Sequence, residues 1–211
     1  MKNQPKFIGF YDYTVILTYI SALSGFLGIS LAFNKEYYYA CLCLLLSGLL
    51  DGLDGSIAAT KKDRNDQEKA FGVQIDSLSD LVAFGLLPAA IVFNLGTSDN
   101  FSTVVCLFYL LAALIRLAYF NVEEQFMAEK RQHYSGLPVT SSALLIPFVY
   151  TLMSFNSQLS VQVITIVLLV MGILFISPFK LAKPQFKHKL QLALIGISVT
   201  GLLIFSQIGV L

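Results

Sequence analysis

Apolar runs of about twenty residues recur along the whole chain, at roughly 12–33, 37–60, 72–96, 101–122, 137–155, 160–178 and 189–209. Each is close to the ~20 residues a helix needs to cross a bilayer. Short polar stretches separate them, including NKE, GTSDN and NSQLS. The pattern predicts an all-α, polytopic membrane helix bundle of about seven spans, within a range of six to eight. The second and third runs qualify as spans only if the aspartates inside them are tolerated. No inverted internal repeat of the kind found in many transporters is visible.

Charge orients the bundle. With the N-terminus in the cytoplasm, the inside stretches carry Lys2, Lys6, Lys61, Lys62, Arg64, Lys69, Lys130, Arg131, Lys180, Lys183, Lys187 and Lys189. The outside loops carry only Lys35, and Arg116 lies within a helix. This positive-inside asymmetry fits seven spans with the C-terminus outside.

Composition agrees with a membrane location. The chain is 56% hydrophobic, with mean hydropathy +0.72 and a net charge of +1 over 211 residues. One membrane domain over residues 1–211 is the simplest organisation. The charge gives no ground for expecting nucleic acid as a partner. Cys41, Cys43 and Cys106 all lie in apolar runs, which suits buried thiols better than a disulfide or zinc framework. The opening MKNQPKFIGFYDY lacks a cleavable signal pattern. Its Phe7, Phe10, Tyr11 and Tyr13 suit either a short interfacial helix or an ordinary aromatic belt.

The chemistry concentrates in residues 50–80, LDGLDGSIAATKKDRNDQEKAFGVQIDSLSD. Asp51 and Asp54 are three apart on one helix face, and Ala58 continues that face. Asp76 and Asp80 are four apart on the next helix. One helix runs toward the cytoplasm and the other starts from it, so the four carboxylates can meet at similar depth. Carboxylates at membrane depth are costly without a partner. Oxygen donors of this kind suit Mg²⁺, Mn²⁺ or Ca²⁺. Gly52, Gly55 and Gly72 leave room for a ligand near the backbone, and Lys61, Lys62 and Arg64 are placed to meet phosphates. Structural polar residues or an ion pathway are the competing readings.

These residues resemble the signature of the CDP-alcohol phosphotransferase family, D-x2-D-G-x2-A-R followed by G-x3-D-x3-D. Here it is carried by Asp51, Asp54, Gly55, Ala58, Gly72, Asp76 and Asp80. Two features depart from it. Ala59 stands where the family has arginine, and the twelve residues between Ala59 and Gly72 make a longer interval than the family's.

The resemblance implies transfer of a substituted phosphate from a CDP-linked donor to an alcohol, with release of CMP. It implies divalent-metal ligation, by Mg²⁺ or Mn²⁺, through Asp51, Asp54, Asp76 and Asp80. Asp80 would also serve as general base. Nucleotide contacts would come from Asp51, Asp54, Gly55, Ala58, Gly72 and Asp76. The active site would face the cytoplasm from a cytoplasmic membrane, and the protein would be a homodimer.

The acceptor must be read outside this motif. Arg116 is a cation within an apolar helix, and Asn121 follows it in RLAYFNVEEQ. RLAYFNV, GLPVT and DSLSDLVAFGLLPA resemble stretches of the phosphatidylserine synthase branch of the family. That branch implies CDP-diacylglycerol as donor and L-serine as acceptor. Arg116 would hold the serine carboxylate or a donor phosphate, with hydrogen bonds added by Asn121. Glycerol 3-phosphate or an inositol phosphate is the alternative acceptor. A cation transporter is the alternative outside this chemistry. His133 and Tyr134 read as a solvated loop, and KLAKPQFKHK as a membrane anchor touching lipid headgroups. Thr18 and Ser21 on the first run could face the site, although hydroxyls in membrane helices usually bond their own backbone or a neighbouring helix.

Overall fold

The computed structural model describes residues 8–96, 100–126, 133–156, 160–182 and 186–208. Phe7, Lys2, Lys6, Lys130, Arg131 and Lys183, named above for headgroup contact or orientation, lie outside the described residues.

The first helix, α1, spans Tyr13–Phe33. Asp12 caps it by accepting the Thr14 backbone N–H at 2.9 Å and the Thr14 hydroxyl. A tight turn through Asn34 and Lys35 reverses the chain into α2, Tyr37–Ala58. The two helices pack antiparallel along a seam of small hydroxyls. Ser24 donates to the Cys43 carbonyl at 3.0 Å, and Ser47 donates to the Ser21 carbonyl at 3.2 Å.

The third helix, α3, spans Asp66–Asp80 and corrects the expected start near residue 72. A capping box sets the earlier start. The Asn65 side chain accepts from the Glu68 N–H at 2.8 Å, and the Glu68 side chain accepts from the Asn65 N–H at 2.9 Å. Asparagine followed three residues later by glutamate is the sequence signal for this start. The linker between the aspartate helices therefore shrinks to residues 59–65.

Beyond Asp80 the helix widens into a π-helical stretch, Leu81–Leu86, and resumes as α4, Leu87–Leu95. Pro88 explains the change of register. It has no N–H to give the carbonyl of Phe84, four residues earlier, and its ring clashes there in an α-helix. The Leu87 N–H accordingly reaches Val82, five residues back. The Phe84 carbonyl instead accepts the Tyr109 hydroxyl at 2.7 Å and the Ser142 hydroxyl at 3.3 Å. The widened stretch lies against α1. A Cβ at Gly25 would come within 2.9 Å of the Ala83 Cα, so only glycine allows this approach.

The remaining helices are α5 (Asn100–Phe126), α6 (Ser142–Phe155, preceded by a 3₁₀ turn over Val139–Ser141), α7 (Val161–Ile176) and α8 (Phe186–Ile208). Helix α5 packs on α7, and α6 packs on α2 and α8. Phe84, Leu87, Tyr109, Ile146, Leu168 and Phe175 fill the interior. Large apolar side chains such as Leu23, Phe26, Leu107 and Ile197 point outward. Such a surface suits lipid and would be a liability in water.

Among the described residues, four helical rods are long and apolar enough to cross a membrane: Tyr13–Phe33, Tyr37–Ala58, Asp66–Leu95 and Asn100–Glu123. Val139–Phe155, Val161–Ile176 and Leu194–Ser206 are shorter apolar helices. The protein is an integral membrane helix bundle. One non-helical feature was not anticipated. His133–Ser135 (β1) pairs antiparallel with Lys180–Ala182 (β2), so two stretches read as a loop and an anchor form a short ribbon. Gly136, at φ +74°, turns the chain out of this ribbon and donates its N–H to the Phe179 carbonyl at 2.7 Å.

Candidate active site

Two helices deliver the acidic residues to one place. Carboxylate oxygens of Asp51 on α2 and of Asp76 and Asp80 on α3 lie within 4.8 Å of one another. Asp80 is buried, and Asp51 and Asp76 are half-buried. Three converging oxygens of this kind match the donor set of a hard divalent cation, so the residues present fit one. Asp54 lies outside this trio. One turn closer to the end of α2, its Oδ2 accepts the Thr18 hydroxyl at 3.1 Å.

Neighbouring polar groups brace α3. Ser79, next to Asp80, donates to the Thr18 carbonyl at 3.0 Å. Ser77, next to Asp76, donates to the Asn121 side-chain oxygen at 2.9 Å. Asn121 is thus drawn against the aspartate helix. The π-helical stretch begins directly after Asp80, and such irregularities are frequent at functional sites.

The glycines divide into two kinds. Among the described residues a Cβ at Gly52 or Gly55 would meet nothing within 4 Å, so they leave the α2 face beside the aspartates open. A Cβ at Gly72 would come within 2.5 Å of Arg64 Nη2. The Arg64 guanidinium therefore covers Gly72, one turn before Asp76. Its Nη2 donates to the Glu68 carbonyl at 3.0 Å, while its buried Nε has no hydrogen-bond partner among the described residues. Ala58 is half-buried, and Ala59 is exposed at the end of α2.

Lys61 is engaged elsewhere. Its ammonium bridges Asp12 Oδ2 at 2.8 Å and Glu68 Oε1 at 3.1 Å, tying the entrance of α1 to that of α3. The Lys61 hydrogen bond, followed by those from Thr14, holds the Asp12 carboxyl down at about 2. The same partners, Asp12 first and then Glu68, push the Lys61 ammonium above its ordinary value. Lys62 is exposed.

Arg116 is only 5% exposed. Its Nε donates to the Leu137 carbonyl at 3.3 Å, and its guanidinium lies 5.5 Å from the centroid of the Phe120 ring. The first contact ties it to the GLP stretch that opens the α6 segment.

Sequence comparison finds relatives of this chain. The chain is 32% identical over 174 residues to the archaetidylserine synthase of Methanothermobacter thermautotrophicus, covering 82% of this chain and 72% of that one. It is 34% identical over 148 residues to the CDP-diacylglycerol–serine O-phosphatidyltransferase of Saccharomyces cerevisiae, covering 63% of this chain and 52% of that one. It is 29% identical over 195 residues to the protein of that name from Methanocaldococcus jannaschii, covering 92% and 83%. Residues 13–203, which include every described aspartate of the site, match the profile of a single family. The chain belongs to the CDP-alcohol phosphatidyltransferase family and is a transferase.

Proposed function

We propose that this protein transfers a phosphatidyl group from CDP-diacylglycerol to the hydroxyl of L-serine, giving phosphatidylserine and CMP. The gathering of Asp51, Asp76 and Asp80 carries the reading, because these residues stand in the stretch that resembles the family signature. The acceptor rests on relatives named for serine transfer.

In this reading Asp51, Asp76 and Asp80 would hold a divalent cation, Mg²⁺ or Mn²⁺, and Asp54, outside that trio, would complete the set that the family resemblance implies. When bound, such an ion neutralises the diphosphate and stabilises charge on the departing phosphate. Asp80 takes the proton from the serine hydroxyl. The serine oxygen then forms a bond to the phosphorus that carries the lipid. The bond from that phosphorus to the oxygen bridging it to CMP breaks, and the electron pair leaves with CMP. Burial of Asp80 keeps this proton transfer away from bulk water.

Gly55, Ala58 and Gly72 line the nucleotide side. The guanidinium of Arg64 meets the diphosphate, in place of the family arginine that Ala59 lacks. Lys62 adds long-range positive charge, and Lys61 contributes mainly as a tie between helices. Arg116 binds the serine carboxylate or a donor phosphate, with Asn121 beside it. The site faces the cytoplasm, where CDP-linked donors arrive. The whole chain acts as one membrane domain, and two copies assemble as a homodimer.

Purified protein incubated with CDP-diacylglycerol, Mg²⁺ or Mn²⁺ and a panel of acceptors tests this reading. Serine-dependent CMP release is expected. Release with glycerol 3-phosphate or an inositol phosphate but not with serine would overturn the acceptor. No release with any acceptor, together with ion flux in vesicles, would overturn the transferase reading in favour of a cation transporter.

A further inference from the structure

We propose that Thr18, on a helix that carries none of the four aspartates, is a positioning residue for the cation site. It orients the Asp54 carboxylate through its hydroxyl and braces α3 beside Asp80 through its carbonyl. This inference rests on the cation-binding reading of the aspartates.

The direction of the Thr18 hydroxyl is the main observation. A threonine hydroxyl within a helix usually folds back onto the carbonyl four residues earlier. Thr151, Thr165 and Thr200 do this here, on Pro147, Val161 and Gly196. Thr18 does not follow that habit. It is buried, and its hydroxyl reaches across to Asp54 Oδ2 on α2 at 3.1 Å. Its backbone carbonyl accepts the hydroxyl of buried Ser79 on α3 at 3.0 Å. One residue of α1 thus touches both aspartate-bearing helices. The Ser24–Cys43 and Ser47–Ser21 bonds continue the α1–α2 seam below it, so the position of Thr18 is fixed by its own helix pair.

A hydrogen bond to one oxygen of a carboxylate fixes the rotation of the group. That sets where its other oxygen points and how much ordering is left for a cation to impose. Groups in this outer position commonly change metal affinity 10- to 100-fold when removed.

Direct Mn²⁺ titration of the purified full chain, followed by electron paramagnetic resonance without lipid substrate, tests the assignment. Thr18→Val keeps the shape and the backbone carbonyl but removes the hydroxyl. It should weaken Mn²⁺ binding about tenfold. Thr18→Ser should bind close to wild type, because the hydroxyl returns. CMP release by Thr18→Val should recover at raised Mn²⁺, moving the metal dependence rather than kcat. Ser79→Ala should also weaken Mn²⁺ binding, which checks the carbonyl arm independently. Unchanged affinity in Thr18→Val would overturn the proposal. Equal losses in Thr18→Val and Thr18→Ser would also overturn it, since packing and not the hydrogen bond would then be responsible. Wild-type protein that binds no Mn²⁺ would instead overturn the cation reading on which the proposal stands.

Discussion

The hydroxyl of Tyr109 on α5 donates to the carbonyl of Phe84, 2.7 Å away in the π-helical stretch that follows Asp80. Pro88 leaves that carbonyl without its usual helical donor, and Tyr109 supplies one from another helix. A proline-induced irregularity beside the buried aspartate is in this way built into the bundle.

Removal of this support has a graded consequence. Tyr109→Phe leaves the Ser142 hydroxyl 3.3 Å from the same carbonyl, to which it can turn from the Val139 carbonyl at 2.9 Å, and should cost less than loss of both hydroxyls. The double variant Tyr109→Phe/Ser142→Ala leaves the buried carbonyl without either hydroxyl and should cost about 1–3 kcal/mol. Thermal unfolding in detergent reads the difference. A double variant as stable as wild type would show that the π-helical stretch does not depend on these donors.

Arg64 and Gly72 offer a second test. Arg64→Ala should raise the KM for CDP-diacylglycerol about tenfold, as expected for loss of a charge-assisted hydrogen bond of ~1.5 kcal/mol, with the fold unchanged. Ala59 is exposed, so Ala59→Arg should be accommodated. Placed in the Arg64→Ala background, it should restore much of the donor affinity. Steady-state kinetics of the single and double variants check this. An unaltered KM in Arg64→Ala would remove Arg64 from the donor site.

The Asp12–Lys61 tie predicts a pH dependence. The Asp12 carboxyl is held down at about 2, against an ordinary value of 3.8. Its contribution to stability is therefore complete above pH ~4 and is lost as pH falls through about 2. The pair is partly exposed, so solvent screening keeps its contribution small. Asp12→Asn should lower the melting temperature slightly at pH 6. The gap to wild type should close on acidification toward pH 2 and shrink in high salt. A gap that persists at pH 2 would show that the Lys61 tie is not its source.

Much of this arrangement was legible in the sequence. The spacings of Asp51 with Asp54 and of Asp76 with Asp80 follow from helical periodicity, and the apolar runs placed the helices within a few residues. The start of α3 was the exception, six residues earlier than the apolar run implies, because hydropathy overlooks the polar capping signal of Asn65 and Glu68. The π-helical stretch has a visible cause in Pro88, but the partners Tyr109 and Ser142 are set by tertiary packing. That Thr18 could face the site was legible, but its choice of Asp54 over a carbonyl in its own turn depends on how α1 meets α2. The ribbon joins His133–Ser135 to Lys180–Ala182, two three-residue segments too short to show a strand pattern. Arg116 stood out as an intramembrane cation, whereas its contact with the Leu137 carbonyl depends on how α5 meets the GLP turn.

Product analysis of wild type and Asp80→Asn, side by side with CDP-diacylglycerol, L-serine and Mg²⁺, tests the central claim most directly. Wild type should form phosphatidylserine and CMP in equal amounts by mass spectrometry. Asp80→Asn, folded as judged by its melting transition, should form neither at a measurable rate. Phosphatidylserine formed by Asp80→Asn at the wild-type rate, or CMP released by wild type without a serine-containing lipid, would contradict the account.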